Sequence, residues 1–178
     1  MKVKLSRPSI ITIVIIVALC FLFQIAHFFE HLAQAFMVII GPDRTVLFMT
    51  PWATDLVVWF ADMFQSRPME ERMLIGMEVL HFFGNLIFLT GLFLYYHVFD
   101  KSRFSKIALI AQSLHMFEHV LLTATVILFG TPLGFTTLFG APISLSAAGL
   151  LRGTIHFVLN LIPSLYIAKA LIRFFKKR

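Results

Sequence analysis

Residues 24–31 read QIAHFFEH and residues 112–119 read QSLHMFEH. Each places a glutamine, two histidines four apart and a glutamate at one spacing inside a strongly apolar stretch. On a helix, imidazoles at i and i+4 offer two nitrogens to a single ion, and a neighbouring carboxylate can complete or bridge the shell. A second pair of motifs, HFFGNLI from His81 and HFVLNLI from His156, adds a third imidazole and an amide one turn further on. Nitrogen and oxygen donors without thiolate favour Zn, Fe, Mn or Cu(II) over Cu(I).

The spacing turns these residues into stripes. At about 100 degrees per residue, Gln24, His27, Glu30, His31 and Gln34 share an arc of roughly 120 degrees. Gln112, His115, Glu118 and His119 repeat that arc. Glu78, His81 and Asn85 fall within roughly 60 degrees, and Arg152, His156 and Asn160 within about 80 degrees. An ionisable group facing hydrocarbon costs about 2.5–3.5 kcal/mol on insertion scales, so such stripes must face inward and satisfy one another. The predicted metal ligands are His27, Glu30, His31, Glu78, His81, His115, Glu118, His119 and His156. Gln24, Gln112, Asn85 and Asn160 are suited to orient imidazole N–H groups around them, and Arg152 to pair with Glu30, Glu78 or Glu118.

Because the unit occurs twice, two ions are expected in one interior, as in carboxylate-bridged dinuclear four-helix proteins. The Glu-x-x-His spacing of those proteins occurs here once, from Glu78 to His81. The density of histidine in apolar helices is similar to that of the integral-membrane diiron desaturases and hydroxylases, whereas the HxxHH boxes of that class are missing. A membrane-bound, metal-dependent oxidoreductase acting on a lipophilic or small substrate is the enzymatic expectation, and Zn-activated water with Glu78 as base the other. Haem b held by facing histidines is an alternative cofactor, which would make the chain an electron-transfer subunit. A proton or ion path through the polar core, in a transporter or an accessory subunit, is the third.

The elements that must position these groups follow from hydropathy. Among 178 residues, 59% are hydrophobic and 13% charged, and the mean hydropathy is +0.89. Such a chain belongs in a lipid bilayer. Four apolar runs, 9–40, 69–99, 104–129 and 143–175, exceed the roughly 20 helical residues that cross a hydrocarbon core. No strand alternation is present, so the fold class is an all-α integral membrane protein, a four-transmembrane-helix bundle in a single domain over 1–178. The first run continues past any signal-peptide length and reads as a retained helix. Residues 53–64, ATDLVVWFADMF, are apolar but too short to span, and predict an interfacial helix over the mouth of the bundle in the first outer loop. Asp55 and Asp62 would be its solvated face, and Trp52 and Trp59 its interface aromatics. Cys20 is read as a small packing residue and His97 as an interhelical contact.

Motifs recurring in the same order imply a tandem duplication, with repeats over about 9–99 and 104–175 related by a pseudo-twofold axis along the membrane normal. Lys2, Lys4, Arg7, Lys101, Arg103, Lys106, Lys169, Arg173, Lys176, Lys177 and Arg178 fall on one side of a four-span chain. The positive-inside rule therefore places both termini in the cytoplasm of a cell with the chain in its plasma membrane. Topology and anionic lipid account for the net charge of +6, so nucleic acid is not an expected partner. Other membrane subunits or further copies of the chain are. The stripes should meet in the outer half of the bilayer, with His115 and His119 nearer the midplane.

Overall fold

Apolar runs of this length satisfy every backbone polar group within themselves only as helices. The computed structural model describes residues 7–40, 50–134, 157–169 and 172, and every regular element among them is helical. These are α1 (Arg7–Ile40), α2 (Pro51–Ala61), α3 (Met69–Val98) and α4 (Arg103–Phe129), with a 3-10 turn at Asp62–Phe64, and α5 (Phe157–Lys169). Three are long and apolar enough to cross a membrane: α1 over Pro8–Phe29, α3 and α4. They begin and end where hydropathy places them, to within about two residues. The remainder of the expected 143–175 run lies outside the described residues, as do the basic termini.

Local signals set the boundaries. Ser102 caps α4: its hydroxyl accepts the Ser105 N–H at 3.2 Å, and its own N–H donates to Asp100 Oδ1 at 3.0 Å. At the other end Gly130 takes φ +72°, the left-handed conformation glycine adopts without strain, and its N–H closes on Val126 O. Pro51 opens α2, where its missing N–H costs nothing.

Small residues then let the helices close. Ala53, Val57 and Ala61 form the buried stripe of α2 and seat it along α3. The groove is Gly76, where any Cβ would run into the Val57 carbonyl. Phe60 stacks on Phe83 at 5.7 Å and Trp52 meets Phe23 edge-on at 6.3 Å, so α2 lies on the flank of α3 and reaches α1. Asp55 and Asp62 are exposed. Gly91 of α3 receives Cys20 of α1; a Cβ there would stand 2.5 Å from that of Cys20. Around this contact Val17, Cys20, Phe21, Phe88, Leu92, Ala108, Tyr166 and Ile167 make one apolar cluster from α1, α3, α4 and α5. Tyr166 of α5 donates its hydroxyl to Asp100 Oδ2 at 2.7 Å, fastening α5 to the turn between α3 and α4. His97 is exposed, and its ring lies 4.3 Å from that of Phe93 on its own helix. It therefore makes a contact within α3 where an interhelical one was expected.

Candidate metal centre

Above the apolar cluster the polar stripes meet. From α1 come Gln24 and His27, from α3 Glu78, His81 and Asn85, from α4 Gln112, His115, Glu118 and His119, and from α5 Asn160. All are buried except His81, which is half-buried. Gln24, Asn85, Gln112, His115, Glu118 and Asn160 have no measurable exposure. Buried polar groups at this density must engage one another, because each left unsatisfied costs about 1–3 kcal/mol.

Two amide clamps form the floor. Gln24 Nε2 of α1 donates to Asn160 Oδ1 of α5 at 3.1 Å, and Gln112 Nε2 of α4 donates to Asn85 Oδ1 of α3 at 2.9 Å. The Oε1 atoms of both glutamines are buried and find no hydrogen-bond partner among the described residues. Asn85 Nδ2 donates to the His81 carbonyl at 2.9 Å, and Asn160 Nδ2 approaches His115 Nε2 at 3.5 Å, so the amide layer touches the histidine layer.

The four described histidines of the stripes form a continuous set of rings. His27 meets His81 edge-on with centroids 5.3 Å apart, His81 stacks on His119 at 5.5 Å, and His119 meets His115 at 4.8 Å. The rings of α3 and α4 thus lie at one level, without the depth offset the sequence leaves between them. His115 Nε2 and His119 Nε2 face each other at 3.1 Å. On the other side of the His119 ring, Nδ1 is 3.7 Å from Glu78 Oε2. His81 Nδ1 lies 2.8 Å from the Met77 carbonyl. A carbonyl only accepts, so Nδ1 carries a proton, and in the singly protonated ring Nε2 is the lone-pair nitrogen.

Two further residues, absent from the sequence motifs, hold this level. The Thr123 hydroxyl donates to the Glu78 carbonyl at 3.1 Å, tying α4 to α3 beside the carboxylate. Gly134 packs against Glu118, where any Cβ would collide with the carboxylate. Thr123 is visible in sequence as a polar residue one turn beyond His119; Gly134, 16 positions beyond Glu118, carries no such signal.

Among the described residues no three His, Cys, Asp or Glu side chains converge on one point as a complete ligand set. Glu30 and His31 are on α1, with side chains outside the described residues, and Arg152 and His156 lie outside them altogether. What the described part offers is a facing nitrogen pair, an imidazole whose tautomer leaves Nε2 as a donor atom, and two carboxylates.

The chain matches the model of a family described as a family of unknown function (DUF6008), over residues 2–178. No curated protein and no solved structure matches it.

Proposed function

The chain belongs to this family of unknown function, and we propose from its own residues that it is a membrane-embedded protein whose polar interior holds a divalent transition metal. The observation that carries this is the 3.1 Å approach of His115 Nε2 to His119 Nε2 in a fully buried setting. Two imidazole nitrogens on one ion, at about 2.0–2.1 Å each, stand roughly 3.0–3.4 Å apart. Protonation is compatible with the same assignment. If the contact is instead a hydrogen bond, His115 Nε2 is the donor that keeps His119 Nδ1–H toward Glu78; with His119 as donor, its Nδ1 lone pair would point at a carboxylate unless the ring were doubly protonated. With an ion between the two Nε2 atoms, His119 Nδ1–H is directed at Glu78, the carboxylate–histidine–metal relay common around bound ions. The Gln24 and Gln112 oxygens, which find no partner among the described residues and lie one turn from His27 and His115, suit the N–H groups of ligating imidazoles or a bound water in the same way.

His81 is the third ligand to which the described geometry points, with His27 and Glu118 adjoining. Glu30, His31 and His156 would supply the duplicated half of a dinuclear site, and Arg152 a counter-charge. Crossed pairing of the amides supports duplication: α1 of the first repeat clamps α5 of the second, and α4 of the second clamps α3 of the first. A four-span bundle with both termini cytoplasmic, in the plasma membrane, accommodates that pairing. A bound Fe or Cu would supply redox chemistry toward a lipophilic or small substrate, and Zn would supply activated water. The described rings favour ions over haem, because His81 stacked on His119 at 5.5 Å occupies the space a porphyrin would need between α3 and α4.

Elemental analysis of the protein purified without added metal is the test. One or two equivalents of Fe, Zn, Cu or Mn per chain are expected, lost in His115→Ala/His119→Ala while the helical spectrum is kept. A folded, metal-free wild-type protein that also fails to take up added metal would sink the assignment.

One observation favours a second reading, a proton path. Gln24, Asn160, His115, His119 and Glu78 follow one another at 3.1, 3.5, 3.1 and 3.7 Å across four helices, α1, α5, α4 and α3, with the two imidazoles and the carboxylate as the groups that can pass a proton. Metal-free protein that acidifies vesicles, and loses the flux in His119→Ala, would establish that path instead.

A further inference from the structure

After α4 the chain does not leave the bundle. Gly130 turns it through the left-handed conformation, and residues 131–134 run back along α4. The Leu133 N–H donates to the Thr125 hydroxyl at 2.7 Å, and the Leu133 carbonyl lies 3.1 Å from the same oxygen. That hydroxyl has one proton, and its nearest acceptor is Leu121 O at 2.7 Å, so the Leu133 N–H is the firm bond of the return. Pro132 and Gly134 are buried, and Gly134 arrives against the Glu118 carboxylate.

Both ends of this five-residue segment are glycines seated on glutamates. A Cβ at Gly130 would stand 2.8 Å from Glu71 Oε1, and one at Gly134 would overlap Glu118. Glu71 is itself ion-paired to Arg67, whose second guanidinium nitrogen donates to Ile127 O at 3.0 Å. The segment is therefore held from outside by Glu71 in the first turn of α3 and from within by Thr125. Irregular backbone at the end of an apolar bundle persists where protein satisfies it, and here a threonine hydroxyl near the C-terminal end of α4 does so.

We propose that residues 130–134 form a re-entrant plug that seals the histidine and carboxylate cluster at the end of the bundle where α4 finishes, and that Gly134 is the positioning residue for Glu118. Its place beside the cluster rests on the assignment above; the sealing does not require a metal. Glu118 sits one turn after His115 and directly before His119 on α4, so the plug reaches the level at which an ion, water or proton would arrive.

A buried thiol reports the seal. In a Cys20→Ala background, Leu122→Cys places a thiol at a position only 2% exposed, one turn from Glu118. Its labelling by a water-soluble maleimide should be slow. Thr125→Val should raise the rate roughly five- to tenfold, the factor that loss of one hydrogen bond allows, and Thr125→Ser should restore it. Gly134→Ala should do the same; if that variant fails to fold, Thr125→Val carries the test alone. Equal labelling rates in Thr125→Val and its parent, with both monodisperse and helical, would overturn the proposal. Metal content measured on the same samples separates the two claims: a protected thiol in metal-free protein sinks only the metal assignment.

Discussion

At the scale of single residues, the chemistry turns on which nitrogen of each histidine is available. His81 is fixed by the Met77 carbonyl, and His119 is flanked by His115 on one side and Glu78 on the other. Replacing an orienting carboxylate around a metal ligand lowers affinity by about 10–100-fold. Glu78→Gln should therefore weaken metal binding by that factor in chelator competition while leaving the fold intact; unchanged affinity would remove Glu78 from the site. The two amide clamps make a second prediction. Gln112→Leu strands Asn85 and should cost about 1–3 kcal/mol of stability, whereas Gln112→Leu with Asn85→Leu should recover part of it, because paired apolar replacement removes both orphans. Thermal melts of the two variants read the difference. The residue types and their spacing were legible in the sequence. The tautomers were not, since they depend on a backbone carbonyl, and neither was the exposed position of His97, which finds its ring contact on its own helix.

At the scale of elements, hydropathy located the three long helices because lipid leaves a chain no other way to satisfy its backbone. The seats between helices were harder to read, because a glycine in an apolar run looks alike whether it faces lipid or a neighbour. Gly76 admits the backbone of α2 and Gly91 admits Cys20. Gly76→Val should unseat α2 and cost about 1–3 kcal/mol, the usual penalty of overpacking, seen as a lowered melting temperature. At the second seat the obstruction is a side chain, so it can be traded. Gly91→Ala should destabilise, and adding Cys20→Gly should restore most of the loss; strict additivity of the two changes would show that the contact is not the cause. The short segment 53–64 reads in sequence as a helix too short to span and lying over the mouth of the bundle; its place on the flank of α3 instead follows from the Gly76 groove, which no periodicity announces.

At the scale of the whole molecule, the recurring motifs meet in crossed pairs, Gln24 of α1 with Asn160 of α5 and Gln112 of α4 with Asn85 of α3. The copies are unequal in one respect that is plain in the sequence: Glu78 precedes His81 by three residues, and the corresponding position before His156 is Gly153. Any two ions held by this interior would therefore sit in different fields, and Glu78→Gln should weaken the tighter of two sites and spare the other in a titration. Crossed contacts also constrain how the protein is made. Gln24 belongs to α1, while its partner Asn160 lies 136 residues later on α5 and leaves the ribosome long after it. Tyr166 likewise can grip Asp100 only after the α3–α4 hairpin exists. Until α5 is made, then, α1 waits in the membrane with its Gln24 amide uncovered, and a chain stalled before residue 157 is left a substrate for insertion chaperones and quality-control proteases.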